Sequence, residues 1–191
     1  PNNNANNLTG LEIRDNEFDG DGTYFGIDLK NDFDSNALSI INNTFEGIIA
    51  TGISVASGDP TLTDNNFPSG TITTGIYLNT NEEFTLTNND INGTIGTGIH
   101  ILQGTVTIKQ SNITSTGPAG TGIKLAGGTN HVIGTDGTWG DRNVLSNLAT
   151  GIKLEDETVN ASSVTITFND LSTNNTLAIN NEDRRYPQKI L

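Results

Sequence analysis

The apolar residues of this chain fall in pairs separated by one position, and the pairs recur. One phrase has the form apolar-x-apolar-x-x-Asn-x-apolar. Its copies are Leu11, Ile13, Asn16 and Phe18; Leu38, Ile40, Asn43 and Phe45; and Pro60, Leu62, Asn65 and Phe67. Further copies are Phe84, Leu86, Asn89 and Ile91; Val106, Ile108, Ser111 and Ile113; and Val164, Ile166, Asn169 and Leu171. A damaged copy runs through Asn143 and Leu145, after an insertion around Trp139. A second phrase, Gly-Ile-x-Leu or a close variant, follows each copy and starts at Gly26, Gly52, Gly75, Gly98, Gly122 and Gly151. Leu177-Ala178-Ile179 reads as its degraded seventh version. The glycines lie 23 to 29 residues apart, a period that signals stacked units.

Apolar residues at i and i+2 fit strands, not helices. Frequent Gly, Asn, Asp and Ser predict strands of only three to five residues, and no convincing amphipathic helix is found. Three short strands per repeat make one coil of a solenoid, with coils pairing in parallel about 4.8 Å apart. About seven such coils over residues 8–181 predict an all-β rod on the order of 30 Å long. The Asn column is placed at the corner after the first strand, where the left-handed backbone conformation is cheapest for Asn or Gly. Stacked Asn amides can also bond to one another along the rod. The glycine is read as letting the chain re-enter a strand closely after a corner.

The chain resembles right-handed parallel β-helices of the pectate-lyase-like superfamily, of bacterial or archaeal surface type. The stretch from Gly128 to Gly134, with Arg142-Asn143-Val144-Leu145-Ser146-Asn147, is similar to repeats of bacterial surface and periplasmic β-helix proteins. The resemblance implies a single-stranded right-handed β-helix. It also implies a range of activities, among them polysaccharide lyases, hydrolases, epimerases, adhesins and phage tailspikes. No catalytic signature of any one of these matches residue by residue.

Composition narrows the partners. The 191 residues carry a net charge of −13, which disfavours nucleic acid and anionic membranes. No run approaches the roughly 20 apolar residues of a membrane span, so no membrane insertion is expected. With no cysteine, disulfides and thiolate metal sites are excluded. The chain opens on Pro1 and has no methionine, which reads as a processed or excised product, secreted or held at a cell surface.

Between the inward Ile and Leu of the glycine phrase, the variable position faces out. Down the stack it reads Asp28, Ser54, Tyr77, His100, Lys124 and Lys153. Tyr77, His100, Lys124 and Lys153 form a candidate glycan-binding strip, with a ring for stacking and charged groups beside it. The competing reading is a row of ordinary solvated strand residues. A lyase on acidic polysaccharide would use His or Lys as base and neutralise a uronate with the others. A glycoside hydrolase would need two acids about 5 to 9.5 Å apart; Asp28, Asp32 and Asp34, or Glu155, Asp156 and Glu157, are the candidates.

Asp15 to Thr23 places acids and glycines in an EF-hand-like order, but the twelfth position is Gly26, not Glu. A looser calcium site at Asp19 and Asp21 is the surviving form of that reading; no other cofactor is expected. Thr61 and Thr63, Thr85 and Thr87, Thr107 and Lys109, and Thr165 and Thr167 form an outward two-row array resembling ice-binding solenoid faces, although Thr is a favoured outward strand residue in any case.

The ends carry no visible cap. Residues 1–7 are an Asn-rich leader, and 182–191 form a non-repeat tail with Arg184, Arg185 and Lys189. Open solenoid ends suggest either a segment of a longer β-helix or head-to-tail self-association, the basic tail docking on an acidic neighbour. The leading functional expectation is an extracellular structural or adhesive β-helix element, self-associating or meeting other surface proteins, and touching polysaccharide along one face. The alternatives are a polysaccharide lyase or hydrolase and, third, an ice-binding protein.

Overall fold

The computed structural model describes residues 10–23, 25–30, 38–117, 119–135, 142–155, 164–171, 173 and 175–182. The leader and Arg184, Arg185 and Lys189 lie outside the described residues, as do Asp32, Asp34, Trp139, Asp156 and Glu157. Among the described residues there are 16 strands in one sheet and no helix. All the strand pairings are parallel.

Each coil contributes to three faces. Ile13, Ile40, Leu62, Leu86, Ile108, Ile133 and Ile166 stack in register behind the first face. Phe18, Phe45, Phe67, Ile91, Ile113 and Leu145 stack behind the second. Ile27, Ile53, Ile76, Ile99, Ile123, Ile152 and Ile179 stack behind the third. These columns meet in one continuous core, in which most of the Ile and Leu side chains are fully buried. This is the solenoid of about seven coils that the spacing predicts. The strands differ from expectation in length. Three of them, β5 (Thr44–Val55), β8 (Thr71–Thr87) and β9 (Asp90–Lys109), run 12, 17 and 20 residues. Pairing with the neighbouring coil continues through their corners, and the bend between Leu78 and Glu83 is absorbed by shifts of register.

The phrase glycine has a more specific reason than re-entry after a corner. A Cβ on Gly26 would lie 2.5 Å from the Phe45 ring, and one on Gly52 would lie 2.2 Å from the Phe67 ring. Further along, Gly98 faces Ile113 and Gly122 faces Leu145 in the same way. Each glycine therefore vacates the space that the second-face core residue of the next coil fills. This is how Phe18, Phe45 and Phe67 stack with ring centroids 4.9 and 4.5 Å apart.

The Asn column is also corrected in part. The left-handed residue is the one before it: Asp15, Asn42, Asp64, Asn88, Gln110 and Phe168 have φ between 50 and 57°. The column itself turns inward, where Asn43, Asn65, Asn89 and Asn143 are fully buried. Their amides form the expected ladder, Asn16 donating to Asn43 at 3.0 Å, Asn43 to Asn65 at 3.1 Å and Asn65 to Asn89 at 3.0 Å. The same Asn43, Asn65 and Asn89 amides cap backbone carbonyls of Ile13, Ile40 and Leu62, so the buried corner is satisfied. In the left-handed column outside, acids alternate with amides, and Asn42 donates to Asp15 at 2.6 Å and Asn88 to Asp64 at 2.5 Å. Like carboxylates are thus never stacked on adjacent coils there.

The sixth coil departs from the damaged copy read at Asn143 and Leu145. Its first-face strand, β12 (Val132–Gly134), lies ahead of the insertion, with Ile133 between Ile108 and Ile166. The insertion separates that strand from Asn143, which rejoins the column by accepting from the Ser111 N–H and donating to Asn169. His131 then occupies the first apolar slot, held elsewhere by Leu38, Phe84, Val106 and Val164, and it is fully buried.

Candidate functional site

The third face is built by the glycine phrases, and its register places the variable residues on consecutive coils. Asp28 pairs with Ser54, Ser54 with Tyr77, Tyr77 with His100, His100 with Lys124, Lys124 with Lys153, and Lys153 with Asn180. The structure therefore brings Tyr77, His100, Lys124 and Lys153 together as one row. Tyr77 and His100 meet edge to face, ring centroids 5.3 Å apart at 67°. His100 is half-buried, and its enclosed Nε2 has no hydrogen-bond partner. Burial lowers its pKa from the usual value, the Lys124 ammonium lowers it further, and Glu155 opposes both. Near neutral pH the ring is therefore uncharged, able to donate through one nitrogen and accept through the other.

The two lysines are not free cations. Lys124 Nζ lies 2.7 Å from Glu155, which is also 3.7 Å from Lys153. Lys153 in turn is 3.2 Å from Glu182, whose carboxylate accepts from the Asn180 amide at 3.1 Å. Desolvation pushes the Glu155 carboxyl up, but its bond to Lys124 and the charges of Lys124, Lys153 and His100 outweigh this and hold its pKa below normal. Two ammonium groups thus meet two carboxylates, and the row is locally neutral. Sequence reading placed Glu155 among hydrolase acids and Glu182 in the tail. Aligning the residue after each glycine phrase (Ala126, Glu155, Glu182) puts both beside the lysines.

The other candidate residues are more scattered. Asp28 lies at the first-coil end of the row, 3.5 Å from Lys30. Asp19 and Asp21 point outward from β2 (Glu17–Asp21), where the Asp21 carboxylate accepts from the Thr23 hydroxyl at 2.7 Å and the Thr23 N–H at 3.2 Å. These bonds lower the Asp21 pKa. No group of three acidic or histidine side chains suited to a metal ion occurs among the described residues. The first-face threonines are in register, Thr63 with Thr87 and Thr85 with Thr107, but Ile41, Lys109, Val132 and Gly134 stand in the same two columns.

A search of curated proteins and a search of solved structures return no match. The family model of the right-handed β-helix region does match, over residues 25–187. Its span begins at the third-face strand of the first coil and takes in the whole row from Asp28 to Asn180, and the chain belongs to the right-handed β-helix family.

Proposed function

We propose that this protein is a non-catalytic structural β-helix of a secreted or cell-surface setting, and that its third face contacts uncharged polysaccharide through Tyr77, His100, Lys124 and Lys153. The observation that carries this reading is the in-register row itself, with the Tyr77 ring edge to face against an uncharged imidazole. An outward aromatic ring beside an uncharged imidazole suits a sugar, which offers an apolar ring face for packing and hydroxyls for hydrogen bonding. The charge balance of the row favours neutral over acidic chains, because Lys124 and Lys153 already hold Glu155 and Glu182. It also weighs against a lyase, which needs unopposed cations to neutralise a uronate.

Affinity electrophoresis through gels containing a neutral glucan, a galactomannan or polygalacturonate tests the reading. Retardation is expected in a neutral gel, little changed by salt and lost in Tyr77→Ala. Retardation only by polygalacturonate, release of unsaturated or reducing ends, or a Tyr77→Ala protein that behaves as the parent would overturn it.

A further inference from the structure

Among the described residues, the slot occupied by His131 is the one place in the inner core columns where a titratable side chain replaces an apolar one. Its neighbours in the slot are Val106 on the coil below and Val164 on the coil above, set by the pairing of Val132 with Thr107 and Thr165. The ring is fully buried. Its Nε2 lies 3.0 Å from the Gly127 carbonyl, which fixes that nitrogen as the donor, and Nδ1 has no partner. The buried Thr135 hydroxyl close by in the chain is also unpartnered. The ionisable groups on the elements around it are Asp90, His100 and Lys109 on β9, Lys124 on β11 (Thr121–Leu125) and Lys153 on β14 (Thr150–Leu154). All of them occupy outward positions, and the strand above, β15 (Thr165–Thr167), carries none. Among the described residues no carboxylate faces Nδ1, so a proton there places an unpaired cation in the core, a state that proteins avoid by exposing the group.

We propose that His131 is an acid-operated latch: neutral, it seals the sixth coil, and protonated, it leaves the core and opens the sixth and seventh coils. The direct mechanical link is the Thr165 N–H, which donates to the His131 carbonyl at 2.8 Å and ties the seventh coil to the sixth. The sixth coil also carries Lys153 and Glu155, so acid withdraws one end of the third-face row. The inference itself stands whether or not that row binds glycan.

The sign follows from burial, which lowers the folded-state pKa of His131 and outweighs the opposing Gly127 bond. The unfolded or opened state binds the proton more readily, so the stability contribution is whole above the ordinary value of about 6.5. It is lost as the pH falls below that value and through the lowered one. The gain in opening therefore has a ceiling of about thirty-fold at pH 5.

Hydrogen exchange read by mass spectrometry at pH 7.5, 6 and 5, corrected for intrinsic exchange, tests this. In the parent protein, opening of residues 131–182 should rise as the pH falls while residues 38–101 stay protected. His131→Leu should abolish the rise, and His100→Gln, which alters the half-buried imidazole of the outward row, should keep it. His131→Val, the residue found in the neighbouring slots, serves if the Leu variant does not fold. A parent whose protection does not change with pH, or a His131 variant that opens as the parent does, would overturn the latch.

Discussion

The second to fourth coils and the sixth coil are built from the same two phrases, yet they solve the interior differently. In the second to fourth coils, Asn43, Asn65 and Asn89 carry an unbroken run of buried amides, Phe45 and Phe67 stack face to face, and Leu38 and Phe84 fill the first slot. Approaching the sixth coil, Ser111 interrupts the amide run, and within that coil an imidazole takes the apolar slot and two polar atoms go unpartnered. The sixth coil also holds the centre of the ion-pair row. The regular coils thus satisfy their interior with paired amides and stacked rings, whereas the sixth coil buries an imidazole with an unpartnered nitrogen.

The largest effect that would break this contrast lies in the regular coils. Gly52→Ala places a methyl group 2.2 Å from the Phe67 ring and 2.8 Å from the Gly75 carbonyl. Overpacking against a fixed backbone is expected to cost about 3 kcal/mol, seen as a lower denaturation midpoint. Gly117→Ala, with nothing within 4 Å of the new carbon, is the matched control and should be near neutral.

Next comes Asn65→Ala. It removes the acceptor of the Asn43 backbone N–H and amide and the amide donor to the Ile40 carbonyl and the Asn89 side chain, for an expected loss of about 2 kcal/mol by chemical denaturation. The reciprocal change, Ser111→Asn, sharpens the comparison by extending the run toward Asn143. It should leave stability equal or raised, provided the new amide takes the ladder geometry.

The smallest effect is Glu155→Gln. The pair is partly exposed, so stability should fall by only about 0.5 kcal/mol. The Glu155 contribution is present above the ordinary carboxyl range and is lost as the pH falls through its lowered folded value, whereas His131 acts at higher pH. Releasing Lys124 and Lys153 should instead show in binding, as new, salt-sensitive retardation by polygalacturonate. Removing the carboxylate should also move the His100 titration further down, since Glu155 raises it.

Much of this was legible because the repeat is short and its core is one-dimensional. The i, i+2 spacing of Ile and Leu fixed which residues face in, and so placed Tyr77, His100, Lys124 and Lys153 in one row. The role of the glycine was not legible, since Gly26 and Gly52 answer to Phe45 and Phe67 on the next coil, 19 and 15 residues further along the chain. The left-handed position was placed one residue late because Asp15, Asp64 and Gln110 do not look like an Asn-or-Gly corner. The sixth coil misled because the insertion cuts the phrase between Gly134 and Asn143 and because a histidine does not advertise a core slot. The neutralising carboxylates escaped because Glu155 and Glu182 lie just past the phrase, where only the stacking register shows them beside the lysines.

The central claim is that chemistry on this scaffold resides in the outward slot of the glycine phrase. Amide and imidazole shift changes on adding a neutral oligosaccharide such as a glucan hexamer, followed by heteronuclear NMR, test it most directly. The account predicts changes clustered at Tyr77, His100, Lys124 and Lys153, with the first-face threonines Thr63, Thr85 and Thr107 unmoved. Changes clustered on the first face, or none anywhere at saturating sugar, would contradict it.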